Sequence, residues 1–265
     1  FANPVVDLRA LKNRNFLVGS ILSFMTGVGI FATIFLTPLF LGYVRGYDAW
    51  QIGVAIASTG AASLIGIPVY ITLAKRFDTR WLMMFGLALF ALSMWSFSGV
   101  THDWSGRELF LPQFLRGFPQ VFAIAPAVTL GLGSLTPERL KYASGLFNMM
   151  RNLGGAIGIA VCATILNDRT NLHFERLAGH LNSTNVAMQQ RLDTLGAKFA
   201  AANGGDILHA HAAALKDLWN LTYREARVMT FADAFLFIGV CLAIATLLTP
   251  LMKKVAAPAA PADAH

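Results

Sequence analysis

The stretch "ASGLFNMMRNLGGAIGIAVCATIL", Ala143 to Leu166, has the length and apolar character of a bilayer-crossing helix, yet Arg151 sits about a third of the way along it. Asn148 and Asn152 flank the arginine, and four glycines, Gly145, Gly154, Gly155 and Gly158, lie close by. A guanidinium facing hydrocarbon is costly, so such a residue by default faces protein or water and marks function. Helical periodicity sorts the neighbours: Gly154 and Gly158 follow Arg151 on one face, and the two asparagines occupy the adjacent face. Glycines three to four apart allow a second helix backbone to approach closely. The segment therefore reads as a buried helix whose arginine turns away from lipid.

Composition supports a membrane setting. The 265 residues are 55% hydrophobic and 13% charged, with mean hydropathy +0.56 and 20 phenylalanines; a soluble domain carries about 25% charged residues. The net charge of +7 is scattered in short clusters between apolar runs, which argues against a nucleic-acid surface and for orientation signals. Cys162 and Cys241 both fall in apolar runs and offer neither a disulfide framework nor a metal-ligand spacing. The chain begins at Phe1 without a signal-peptide pattern, and an amino-terminal portion is expected to be missing.

Six segments reach the roughly 20 apolar residues that a bilayer core of about 30 Å requires: Phe16–Leu41, Ile52–Ala74, Trp81–Val100, Leu109–Leu135, Ala143–Leu166 and Val228–Leu251. The fold class is all-α, a polytopic membrane protein. Ten basic residues (Arg9, Lys12, Arg14, Lys75, Arg76, Arg80, Arg139, Lys141, Lys253 and Lys254) fall on one side of these spans, and Arg45 and Arg107 on the other. Short basic loops resist translocation, which makes the basic side cytoplasmic and places both ends of the segment inside. The expected organisation is a cytoplasmic linker at 1–15, five spans within 16–166, a partly helical external connector at 167–227, a last span at 228–251 and a disordered cytoplasmic tail at 252–265. Within the connector, Met188, Leu192, Leu195 and Phe199 recur at helical spacing.

Ionisable groups inside spans are few. Arg116 and Arg151 are the bases, and Asp233, about five residues into the sixth span, is the acid. Gln113, Arg116 and Gln120 follow at i, i+3 and i+7, a polar stripe facing the bundle interior. Asp233 reads either as an interfacial residue paired with a loop base or as a titratable group at the outer mouth. All six histidines fall in connectors or the tail, so a buried acid/base or metal-hydrolase site is not apparent, and no catalytic residue, metal or cofactor is expected. Prolines 38, 68, 112, 119 and 126 interrupt the spans and predict kinks.

Several stretches in the same order resemble the carboxy-terminal half of the major facilitator superfamily, of the fourteen-span drug:proton antiporter type (EmrB/QacA family). "LRALKNRNFLVGS" looks like that family's approach to the first helix of its second half, and "GYDAWQIGVAI" is similar to its outer turn. "LAKRFDTRWLMMFG" resembles the inner-loop motif, with Arg76 and Arg80 at basic positions but Lys75 in place of the usual acid and Asp78 in place of the glycine. "LPQFLRGFPQVFAIAPA" sets Arg116 and Gly117 on the arginine-glycine helix. "ASGLFNMMRNLGGAIGIAV" sets Gly145, Asn148, Arg151, Gly154, Gly155 and Gly158 on the family pattern. The resemblance implies six helices forming the C-terminal bundle and export of a lipophilic small molecule in exchange for protons by alternating access. It also implies a missing N-terminal helical bundle carrying most of the proton-binding carboxylates, a bacterial inner-membrane location and a possible periplasmic adaptor partner. A non-transporting scaffold or receptor subunit that keeps the fold is the alternative.

Overall fold

The computed structural model describes residues 12–133, 137–181, 186–202 and 207–253. Among these the chain is helical, with eight α-helices: α1 Arg14–Arg45, α2 Ala49–Ala74, α3 Thr79–Ser98, α4 Gly106–Gly117, α5 Gln120–Leu132, α6 Pro137–Gly179, α7 Val186–Ala202 and α8 Ile207–Leu248, the last closed by a 3₁₀ turn over Thr249–Leu251. Six helical stretches are long and apolar enough to cross a membrane, and α4 and α5 together make one of them. Most of the expected linker (residues 1–11) and tail (254–265) lies outside the described residues.

Local chemistry sets the ends. Asn13 opens α1 by accepting from the N–H groups of Asn15 and Phe16, satisfying two donors that the first turn leaves without partners. Gly46 closes α1 at φ 67°, a left-handed conformation suited to glycine. Its N–H and that of Tyr47 reach back to the carbonyls of Gly42 and Leu41. Two residues on, Asp48 and Gln51 exchange side-chain and backbone bonds as a capping box that starts α2. The outer-turn pattern seen in the sequence is thus one helix stop followed at once by a helix start.

α1 is the central helix, packed against α5, α6 and α8, while α3 lies between α5 and α8 and α2 packs chiefly on α4. Its ends are anchored by Phe16 and Phe40, both essentially without solvent exposure; the first span's aromatic residues contribute to the core rather than only to a lipid face. Backbones meet at glycines. A Cβ on Gly27 would overlap the carbonyl of Arg151, and one on Gly154 would overlap the carbonyl of Phe24. Across α2 and α4 the same holds for Gly117 against the Thr59 carbonyl. Gly155 lies under the Phe31 ring, and Gly158 sits over Val28, where a Cβ would come within 3.0 Å of the Val28 Cα. Gly145 behaves differently: among the described residues nothing lies within 4 Å of its Cβ position.

Two boundaries differ from expectation. The fourth span is broken at Phe118 and Pro119, because proline supplies no N–H for the helical ladder. The connector at 167–227 is largely helix: α6 runs about 20 Å past Leu166 and α8 begins about 31 Å before Val228, at 1.5 Å per residue. Rings of Phe174, Trp219 and Tyr223 lock these extensions together, with centroids 5.0 to 5.9 Å apart. α7 lays its Leu195 stripe on α8.

Replacing Gly154 with leucine should wedge α1 from α6 and lower the thermal unfolding midpoint in detergent, the cost being about 1–3 kcal/mol or more for overpacking. Leucine at Gly145 should leave the midpoint within error of wild type. Equal effects at the two positions would contradict the packing described.

Candidate functional site

Arg116 lies on the last turn of α4, next to the break that separates α4 from α5. Only 6% of the residue is exposed. Its Nη1 donates to Thr37 Oγ1 at 3.3 Å, and Thr37 immediately precedes Pro38, the proline inside α1. No carboxylate pairs with Arg116 among the described residues. A buried charge normally requires a hydrogen-bonded counterion, and here one neutral hydroxyl is its hydrogen-bond partner. Gln113, one turn earlier and fully buried, accepts from Thr59 Oγ1 at 2.6 Å, while its own amide nitrogen has no partner within the chain. Ser63 and Ser93 donate to the carbonyls of Gly117 and Pro112, at 3.0 and 2.8 Å. The seam between α1, α2 and α4 is therefore polar and holds spare donors on Arg116 and Gln113. Gln120 is half-buried on α5; the interruption at 118–119 means the expected i, i+3, i+7 stripe is not continuous.

Arg151 occupies a different environment. It is half-buried, and its Nη2 donates to Asn148 Oδ1 at 2.9 Å, while Asn148 and Asn152 are both exposed. Of the two arginines expected to face protein or a water-filled cavity, Arg116 points into this bundle and Arg151 is half-buried at its edge. The reason is the α1–α6 seam. Gly154 and Gly158 take the face of α6 that meets α1, and the Arg151 backbone itself abuts Gly27, so the side chain emerges at the edge.

Asp233 is paired rather than free. Its Oδ2 lies 2.8 Å from His173 Nε2 and 3.2 Å from Arg169 Nη1, both on α6. His173 is only 5% exposed, and its Nδ1 is buried without a partner. By sequence this histidine falls in the polar connector. The signal that could have found it is the helical i, i+4, i+7 spacing of Leu166, Thr170 and His173, which continues one face of α6 beyond the span.

The inner-loop motif works differently from the pattern it resembles. Lys75 and Arg76 are exposed. Asp78 caps α3 through the Arg80 N–H and holds the Arg80 guanidinium with both carboxylate oxygens, at 3.3 and 3.2 Å. Arg80 Nη1 then donates to the Met252 carbonyl at 3.1 Å. Asn15 and the Lys253 backbone exchange two bonds of 2.9 and 2.7 Å. Together these pin the end of the α8 segment to the starts of α1 and α3.

Truncating Asp233 to alanine leaves an almost fully buried imidazole without its partner. The expected result is a destabilisation on the order of 1–2 kcal/mol, read as a lower unfolding midpoint in detergent. An unchanged midpoint would show the α6–α8 pairing to be incidental.

Comparison with known proteins places the geometry in context. A family profile for the Major Facilitator Superfamily matches residues 1–159. The chain is similar to the colistin resistance protein EmrB of Acinetobacter baumannii, with 27% identity over 95% of this chain and 48% of the relative. It is also similar to the multidrug export protein EmrB of Escherichia coli K12, with 32% identity over 76% of this chain and 40% of the relative. The fatty acid resistance protein FarB of Neisseria gonorrhoeae is 29% identical over 71% of this chain and 37% of that protein. The chain thus spans about half the length or less of the curated relatives it matches. With its six apolar helices, glycine-packed seams and buried arginine, the chain belongs to the major facilitator superfamily.

Proposed function

We propose that the chain is the carboxy-terminal helical bundle of an exporter that moves drugs or other lipophilic small molecules out of the cell by alternating access, in exchange for protons. In this reading the basic end of the bundle is cytoplasmic, and residues 167–227 form an external helical hairpin. The face bearing Asn148, Arg151 and Asn152 meets a passage shared with an amino-terminal bundle. Its other partners are the bilayer and, at the external hairpin, a periplasmic adaptor.

The observation that carries the reading is Arg116: a guanidinium nearly enclosed by protein in a membrane-spanning segment, beside a helix break, with no carboxylate paired to it among the described residues. Such a group is expensive in a bilayer unless it does something there. It has N–H donors to spare for an anionic side chain of the other bundle or for a polar group of the cargo. Pro38 inside α1 and the interruption at Phe118 and Pro119 give the helices that hold it a place to bend. The names of the relatives, multidrug export and resistance proteins, agree with this function.

The test uses the full-length protein in proteoliposomes with an imposed pH gradient and a panel of lipophilic cations and acids. Arg116→Ala should cut the proton-driven rate by about tenfold or more, because a hydrogen bond to a charged group is worth about 1.5–3 kcal/mol, and Arg116→Lys should recover part of it. Arg151→Ala should also lose transport, with unchanged insertion. Wild-type rates in both alanine variants, or transport indifferent to the gradient, would overturn the proposal.

A further inference from the structure

A cavity of about 330 Å³ opens between the end of α1, the middle of α6 and α8, apart from the Arg116 seam. Its walls combine aromatic rings (Phe35, Tyr43, Tyr223 and Phe231) with Asn171 and the guanidinium of Arg227. That guanidinium lies 4.9 Å from the centroids of both Tyr43 and Tyr223. The two rings hold the cation in place through their π faces. They do not neutralise it, and they leave its edge N–H groups available for a carboxylate or phosphate.

The neighbouring acids are already engaged. Asp168 accepts from Asn167 at 3.0 Å, Asp233 holds His173 and Arg169, and Glu225 holds His102 at 2.9 Å with Arg224 at 3.4 Å. Among the described residues no carboxylate pairs with Arg227. The cavity therefore offers a positioned, uncompensated cation, an amide donor and an aromatic floor. The volume suits a compact body of one or two rings or a short acyl segment.

We infer that this cavity is a binding site for an amphiphilic organic anion, with its carboxylate or phosphate on Arg227 and its apolar body against Phe35 and Phe231. The same head-group chemistry is available from a soluble lipophilic acid and from an anionic lipid. The site is separate from the efflux proposal, and it is tested by binding alone, so either can fail without the other.

The experiment places the full-length protein in nanodiscs of phosphatidylcholine and measures binding of 2-naphthoate and its neutral amide, 2-naphthamide. Wild type should bind the carboxylate about tenfold more tightly, as expected for a charge-assisted pair. Arg227→Gln should erase that preference and Arg227→Lys should keep most of it. Adding phosphatidylglycerol separates the sources. Weaker naphthoate binding in wild type but not in Arg227→Gln identifies the lipid head group as the occupant; no effect identifies the soluble acid. Equal affinity for acid and amide in wild type, or a preference that survives Arg227→Gln, would overturn the inference. If Arg227→Gln does not fold, Asn171→Asp puts a carboxylate into the same cavity and must weaken naphthoate binding; unaltered binding there would overturn it equally.

Discussion

The contact on which the rest of the structure depends is backbone against backbone, where α1 crosses α6. Gly27 faces the carbonyl of Arg151, Gly154 faces the carbonyl of Phe24, and Gly158 sits over Val28. In a bilayer the hydrophobic effect does not drive helices together, since lipid tails are as apolar as leucine. Close packing across small residues supplies the attraction instead. A side chain at any of these points would push the helices apart, and α1, the helix around which α5, α6 and α8 gather, would lose its seat.

The same constraint decides where the polar groups go. Once the glycine face of α6 is committed to α1, Arg151 and its asparagines have the outer edge left to them. Arg116 reaches the interior by the opposite route: Gly117 lets α4 close on Thr59 of α2, and the break at Pro119 lets α4 turn its end toward Thr37 of α1. Serine and threonine hydroxyls satisfy carbonyls along this seam. The result is a multi-pass inner-membrane protein with one charge held inside its own bundle and another displayed on the surface.

Much of this was legible in the sequence, for physical reasons. Span length follows from bilayer thickness, so six helices could be counted, and glycine spacing identified the packing face of α6 except at Gly145, whose Cβ position has nothing within 4 Å among the described residues. Arg116 could be placed inside because Gln113 shares its stripe. Arg151 could not, because periodicity gives a face but not what covers it. The pairing of His173 with Asp233 was hidden for a different reason. A helix that continues past the membrane loses its apolar signature while keeping its geometry, so α6 looked finished at Leu166. The cation–ring cluster of Tyr43, Tyr223 and Arg227 joins residues about 180 positions apart, which no local pattern records.

Cysteine accessibility at two positions tests this sorting of polar groups most directly. In the full-length protein, with native cysteines replaced, Asn148→Cys should react with a membrane-impermeant, water-soluble thiol reagent, and Gln113→Cys should stay unreactive while no cargo is bound. Rapid labelling at position 113 together with a sealed position 148 would contradict the account, because it would put the wet surface on the side assigned to the enclosed seam.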